Sequence, residues 1–136
     1  MSSNAPASAQ QRQRLEEVRL QLLRLHKAVL DAEKVRYERA NGRVDGGLAL
    51  FHLVSNDPFF AWLRPMTTLI VQFDEKLDAK RDPPLTEDES KLLLEETRAL
   101  LTPRRDAPGF HGDYDRVVQG APDVLIMHTR VERLLG

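Results

Sequence analysis

His26, Glu33 and Tyr37 fall along one edge of a strongly amphipathic stretch, spaced so that they return to the same side of a helix. Further on, Arg64 stands between Leu63 and Pro65 and beside Trp62, with Asp74 following, in the most apolar and aromatic part of the chain, Asp57 to Leu77. An arginine drawn toward a core has to be paired, because an unpaired buried charge costs several kcal/mol. Glu33 or Asp74 is its expected partner. The six residues His26, Glu33, Tyr37, Trp62, Arg64 and Asp74 therefore support two readings. In the plainer one they form a satisfied internal network, or Arg64 runs out to water along the Trp62 face. In the sharper one they line a small pocket in which Arg64 holds an anion by bidentate bonds while His26 and Tyr37 orient it.

Other chemistry finds little footing. The histidines are His26, His52, His111 and His128, and no two of them have the three- or four-residue spacing that places metal ligands on one helix face. The aspartates of His111-Gly-Asp113-Tyr-Asp115 are better placed to cap a helix than to bind a cation. The sequence has no phosphate-binding glycine loop, no nucleophile elbow and no cysteine. No catalytic residue, metal site or cofactor is expected, and enzymatic activity has no positive support. With a net charge of −1 despite 30% charged residues, nothing favours nucleic acid as a partner. The start of the chain has neither the basic nor the apolar character of a signal peptide, and no run approaches a membrane span, so a cytoplasmic location is expected.

The elements that must position the six residues are helical. Leu15, Val18, Leu22, Leu25, Val29 and Ala32 alternate steps of three and four. They predict a long helix from Gln10 to Ala40, ended by Asn41-Gly42. A second stripe, Leu23, His26, Leu30, Glu33 and Tyr37, runs beside the first. The apolar run Leu48 to Asn56 predicts a short, buried helix. Asp57-Pro58 reads as an N-cap with proline at the first helical position. The helix it opens carries a core stripe of Phe59, Leu63, Met66, Ile70, Phe73 and Leu77 and a kink at Pro65. Thr86 with Glu89 forms a capping box for a helix over Glu87 to Leu101, with Leu92, Leu93, Thr97, Leu100 and Leu101 as its apolar positions. The segment Thr102 to Gly112, with two prolines and two glycines, is expected to be the longest and most mobile connection. A short helix over Asp113 to Gln119 and a last one over Asp123 to Leu135 complete the chain, the latter with core positions Val124, Met127, Val131 and Leu134.

The expected fold class is all-α: a bundle of four main helices plus one or two short ones, with a long first helix and a proline-kinked third. At 136 residues the chain has the size of one domain. Residues 1 to 9 read as a mobile tail and 10 to 136 as the domain. Residues 1 to 43 carry nine basic and five acidic side chains, and residues 73 to 101 five basic and nine acidic. That complementarity hints that the first and fourth helices are neighbours.

The phrases LHKAVLDAEKVRYERANGRV (Leu25 to Val44) and NDPFFAWLRPMTTLIVQFDE (Asn56 to Glu75) resemble patterns of small, uncharacterised bacterial all-helical proteins. The resemblance implies a bacterial helical domain and attaches no activity to it. The functional expectation is a non-catalytic helical module that self-associates or binds a partner protein, a homodimer forming through the two stripes of the first helix. The alternative is a binder of a small anionic metabolite, or an enzyme acting on one, through the Arg64 pocket.

Overall fold

A computed structural model describes residues 4–136. Among these residues the chain is all-helical, and its only β pairing is an isolated bridge between Pro6 and Thr86. The helices are α1 (Ala9–Asn41), α2 (Gly47–Asn56), α3 (Arg64–Leu77), α4 (Glu87–Leu100), α5 (Phe110–Gly120) and α6 (Pro122–Leu135), with a 3₁₀ segment, Pro58–Leu63, leading into α3. Among the described residues no helix is long and apolar enough to cross a membrane.

Helix α1 is the axis of the fold. Its apolar stripe, Leu15, Val18, Leu22, Leu25 and Val29, is fully buried. Arg19 pairs with Asp74, His26 meets Thr67, and Glu33 meets Trp62, so residues higher on α1 face residues lower on α3 and its 3₁₀ lead-in. The two run antiparallel. The second stripe is also covered within the chain: Leu23, Leu30 and Tyr37 pack against the core and Glu33 is buried. Helices α1 and α4 touch, as the charge pattern hinted.

Helix ends follow local chemistry. Ser8 and Gln11 form a capping box at α1, and Thr86 with Glu89 forms the expected one at α4, each satisfying two otherwise orphaned amides. Arginines close several carboxyl ends: Arg12 donates to the Leu77 carbonyl of α3, and Arg14 and Arg98 donate to the Leu135 carbonyl of α6.

Four expectations need correction. First, of the nine residues read as a mobile tail, the first three lie outside the described residues, but the next ones are tied down. Ala7 N–H donates to Leu85 O (2.8 Å) and Glu87 N–H to Ala5 O (2.9 Å). Second, the single proline-kinked helix expected from Asp57 onward forms as two segments. Asp57 caps the segment as expected, accepting from the Phe59 amide, but Pro58–Leu63 winds as 3₁₀ and Pro65 sits in the first turn of α3, where a missing N–H costs nothing. At three residues per turn the 3₁₀ segment turns Phe60, Leu63 and then Met66 inward, and Phe59 lies only partly buried. Third, the 101–109 connection is held against α5. Arg104 N–H donates to His111 O, His111 Nε2 lies 3.0 Å from Ala99 O, and a Cβ at Gly112 would stand 1.9 Å from the Ala107 carbonyl oxygen. Only glycine allows that approach. Fourth, α2 forms as a helix but none of its residues is buried.

Candidate functional site

The buried polar centre of the molecule is Glu33. It continues the α1 core stripe one turn beyond Val29, so the packing that buries Leu22 and Val29 buries its carboxylate as well, to 1% exposure. Three elements then supply donors. Arg36, one turn on along α1, donates to Oε2 at 2.9 Å and to Oε1 at 3.4 Å; Arg116 of α5 donates to Oε1 at 3.0 Å; Trp62 Nε1 of the 3₁₀ segment donates to Oε2 at 3.3 Å. The two oxygens offer about four lone-pair positions, and all are used. Burial alone would raise the Glu33 carboxyl, but hydrogen bonds and charge from Arg36 and Arg116 outweigh it and hold the group below its ordinary value. The guanidiniums lie over aromatic rings, Arg36 4.0 Å above Phe59 and Arg116 5.9 Å from Trp62.

A carboxylate saturated by donors and held ionised has no lone pair for a substrate proton and little proton affinity near neutrality. It fastens α1, the 3₁₀ segment and α5 to one point. The arginines are half-buried, and with Arg39, Asp31 and Asp123 they edge a surface depression of about 510 Å³ at the start of α6. A larger one, about 850 Å³, lies between the 105–109 loop and α5, with Arg105, Asp113 and Arg116 on its walls. Both mix charges of the two signs.

A second buried polar group was not anticipated. Tyr114 of α5, fully enclosed, lies 2.6 Å from His128 Nδ1, and His128 Nε2 lies 3.2 Å from Glu132. Burial, with the nearby Glu132 charge, pushes the Tyr114 phenol up, so it stays a donor to Nδ1 and leaves Nε2–H to donate to Glu132. Rings continue outward from this chain: Phe110 stacks on Tyr114 at 5.5 Å and Trp62 meets Phe110 at 5.6 Å.

The six residues singled out from the sequence do not share one pocket. Glu33 and Trp62 meet directly. Tyr37 is close by but engages Phe59 and Phe60 through its ring, at 5.2 and 5.6 Å. His26 lies two turns back along α1, partly buried, with Nε2 3.4 Å from Thr67 Oγ1, and burial pulls it below its ordinary value. Asp74 is farther still: its partner Arg19 precedes Glu33 by about four turns, or roughly 20 Å of helix. Arg64 does not take the paired role, and its exposure agrees with the plainer reading in which it runs out to water. It is exposed on the first turn of α3 and pairs with neither Glu33 nor Asp74. The residue that replaces it is Arg116, which comes from α5 and carries no local signal in the sequence. No group of histidine, aspartate and glutamate side chains among the described residues has a metal-binding arrangement.

The exposed counterpart of this closed centre is α2. Its ten residues, GLALFHLVSN, include no Asp, Glu, Lys or Arg. Leu53 and Val54 pack partly against the core, while Leu48 and Phe51 are 73% and 65% exposed. No family model matches the chain, and no curated protein or solved structure is found similar to it.

Proposed function

We propose that the chain is a non-catalytic helical module that self-associates, two copies meeting through the outer face of α2. The observation that supports this is the state of that helix, the one α-helix among the described residues in which no residue is buried although most of its side chains are apolar. Each Å² of apolar surface left in water forgoes roughly 25 cal/mol, which a covering surface would recover. On α1, the surface first expected to dimerise, the first stripe is fully buried within the chain and the second is buried at Glu33 and partly buried at Leu23, Leu30 and Tyr37.

The absence of charge favours a second copy as the occupant. An identical helix laid across α2 meets no like charge, whereas a charged partner finds nothing to complement it. The pair would be two-fold symmetric, each Phe51 meeting the equivalent surface of the other copy. Size sets the strength. Patches of this kind cover roughly 300–600 Å², so two of them bury about 600–1,200 Å², at or below the lower edge of specific interfaces. Association is therefore weak, concentration-dependent and on the order of micromolar or weaker.

Sedimentation of the full chain over a wide concentration range tests this. The weight-average mass is expected to rise toward that of a dimer, and Phe51→Asp is expected to hold the protein monomeric while its circular dichroism is unchanged. A wild-type chain that remains monomeric at the highest concentration, or a Phe51→Asp variant that associates as the wild type does, overturns the proposal.

A further inference from the structure

We propose that the depression at the start of α6 binds a small zwitterion with an apolar body, an α-amino acid of the leucine type, whose carboxylate meets Arg39 and whose ammonium meets Asp123. Nothing in it depends on the docking role of α2. The charged groups lining the depression are three guanidiniums, Arg36, Arg39 and Arg116, and three carboxylates, Asp31, Glu33 and Asp123. They balance, so a ligand of one sign gains nothing from net charge.

The six charges differ in their commitments. Arg36 and Arg116 both pair with the buried Glu33, and Arg116 also lies 3.8 Å from Asp113. Asp31 pairs with Lys27 at 2.9 Å. It keeps its charge, but it precedes Arg39 by about two turns of α1, roughly 12 Å, so it does not crowd the basic end. That leaves Arg39 of α1 and Asp123 of α6, both exposed, and neither makes an ion pair or a side-chain hydrogen bond among the described residues. A molecule carrying both signs satisfies the two at once, which neither a simple anion nor a simple cation does. Arg36 reinforces the carboxylate end. It lies three residues from Arg39 on the same helix face, and it donates to Glu33 through Nε and Nη2, which leaves Nη1 for a ligand. Glu33 and the Phe59 ring hold this guanidinium in place, so little ordering remains to be done on binding.

The floor between the charges is apolar, formed by Ala32, Val35, Val117, Ala121 and Pro122. Val35 is 48% exposed there, and an aliphatic side chain laid on it removes apolar surface of both from water. The volume of about 510 Å³ falls in the range of small-molecule sites, about 300–1,000 Å³. The depression is open on one side, so a ligand is only partly enclosed and the dissociation constant is expected on the order of millimolar.

Titration of the nitrogen-15-labelled full chain with L-leucine near neutral pH, followed through amide chemical shifts, tests the site. Saturating shifts are expected at Val35, Gly120 and Asp123, all on the lining. N-acetyl-L-leucine lacks the ammonium, L-leucine amide lacks the carboxylate and glycine lacks the apolar body, and each is expected to bind about threefold more weakly or worse. Arg39→Ala and Asp123→Asn, with circular dichroism confirming the fold, are expected to weaken L-leucine to a similar degree, and Asp123→Asn to erase its advantage over N-acetyl-L-leucine. The site is overturned if L-leucine gives no saturable shifts at the depression, if N-acetyl-L-leucine binds as tightly as L-leucine, or if both variants bind as the wild type does.

Discussion

The surroundings of Glu33 and the outer face of α2 break the usual sorting of side chains in opposite directions. The first buries a carboxylate to 1% exposure, and the second leaves a phenylalanine 65% exposed. The difference lies in what the rest of the chain supplies. Glu33 receives donors from its own helix, from the 3₁₀ segment and from α5, so its charge is compensated on every side. Phe51 receives a single ring neighbour, His52 of its own helix. The molecule completes its unusual polar site internally and leaves its unusual apolar one open, which is why self-association is assigned to α2 and not to the arginine-rich end of α1.

The largest effect that could break this comparison is loss of the Glu33 carboxylate. Glu33→Ala leaves Arg36 and Arg116 without their shared partner. Removing one member of a buried pair typically costs about 3–5 kcal/mol. Because both guanidiniums can partly rehydrate, the lower end is expected, a fall in melting temperature on the order of 10 °C. Glu33→Gln keeps the shape and loses the charge, so it isolates the pH dependence. A carboxyl held below its ordinary value of 4.5 stabilises the fold above that pH, and the stabilisation is lost as pH falls through and below it. Urea midpoints of the wild type should therefore drop below about pH 4.5 more steeply than those of Glu33→Gln. Parallel curves would mean that Glu33 is not the compensated charge described here.

Much of the fold was legible in the sequence because it is set by local patterns. The α1 stripe depends only on residues three and four apart, and the Thr86–Glu89 box only on a residue and its third successor. Ser8 and Gln11 offer the same signature, but the small, polar composition of residues 1 to 9 points to a tail and places Ser8 outside the helix. What failed depends on distance in sequence or on location. Glu33 could have been placed in the core by extending the stripe one turn past Val29, and Arg36 found as its neighbour. Nothing local indicates that Arg116, eighty-three residues away, completes the site. Of the two roles open to Arg64, pairing with Glu33 or Asp74 fails: its neighbours Trp62 and Leu63 belong to a 3₁₀ segment, and Arg64 at the start of α3 is exposed to water. For α2, apolar content implied burial, but content fixes only that a covering surface is favourable and not which molecule provides it.

The glycines sharpen the same contrast at intermediate size. At Gly112 the obstructing atoms are the backbone of Ala107, which cannot rotate away. Gly112→Ala must lift the loop off α5 and should cost about 1–3 kcal/mol. Gly47, in the first turn of α2, has nothing within 4 Å of an added Cβ and no positive φ. Gly47→Ala should be neutral or stabilising by up to about 1 kcal/mol, through reduced freedom of the unfolded chain. Urea unfolding of the two variants measures both signs. Equal losses would mean that α2 is packed as closely as the 101–109 connection.

The smallest expected change is the most demanding of the α2 interpretation. In the separated chain the Phe51 ring is largely in water whether the protein is folded or unfolded, so its removal forfeits little buried area on folding. Serine and phenylalanine have similar helix propensities, so the substitution leaves the helix itself nearly indifferent. Phe51→Ser should therefore shift folding stability by no more than about 0.5 kcal/mol when measured in dilute solution, where chains are separate. At high concentration the wild type should gain stability with protein concentration, as any state that binds a partner only when folded does, and Phe51→Ser should not. A loss above about 1 kcal/mol in dilute solution would place Phe51 among the packed residues and remove the uncovered face from α2.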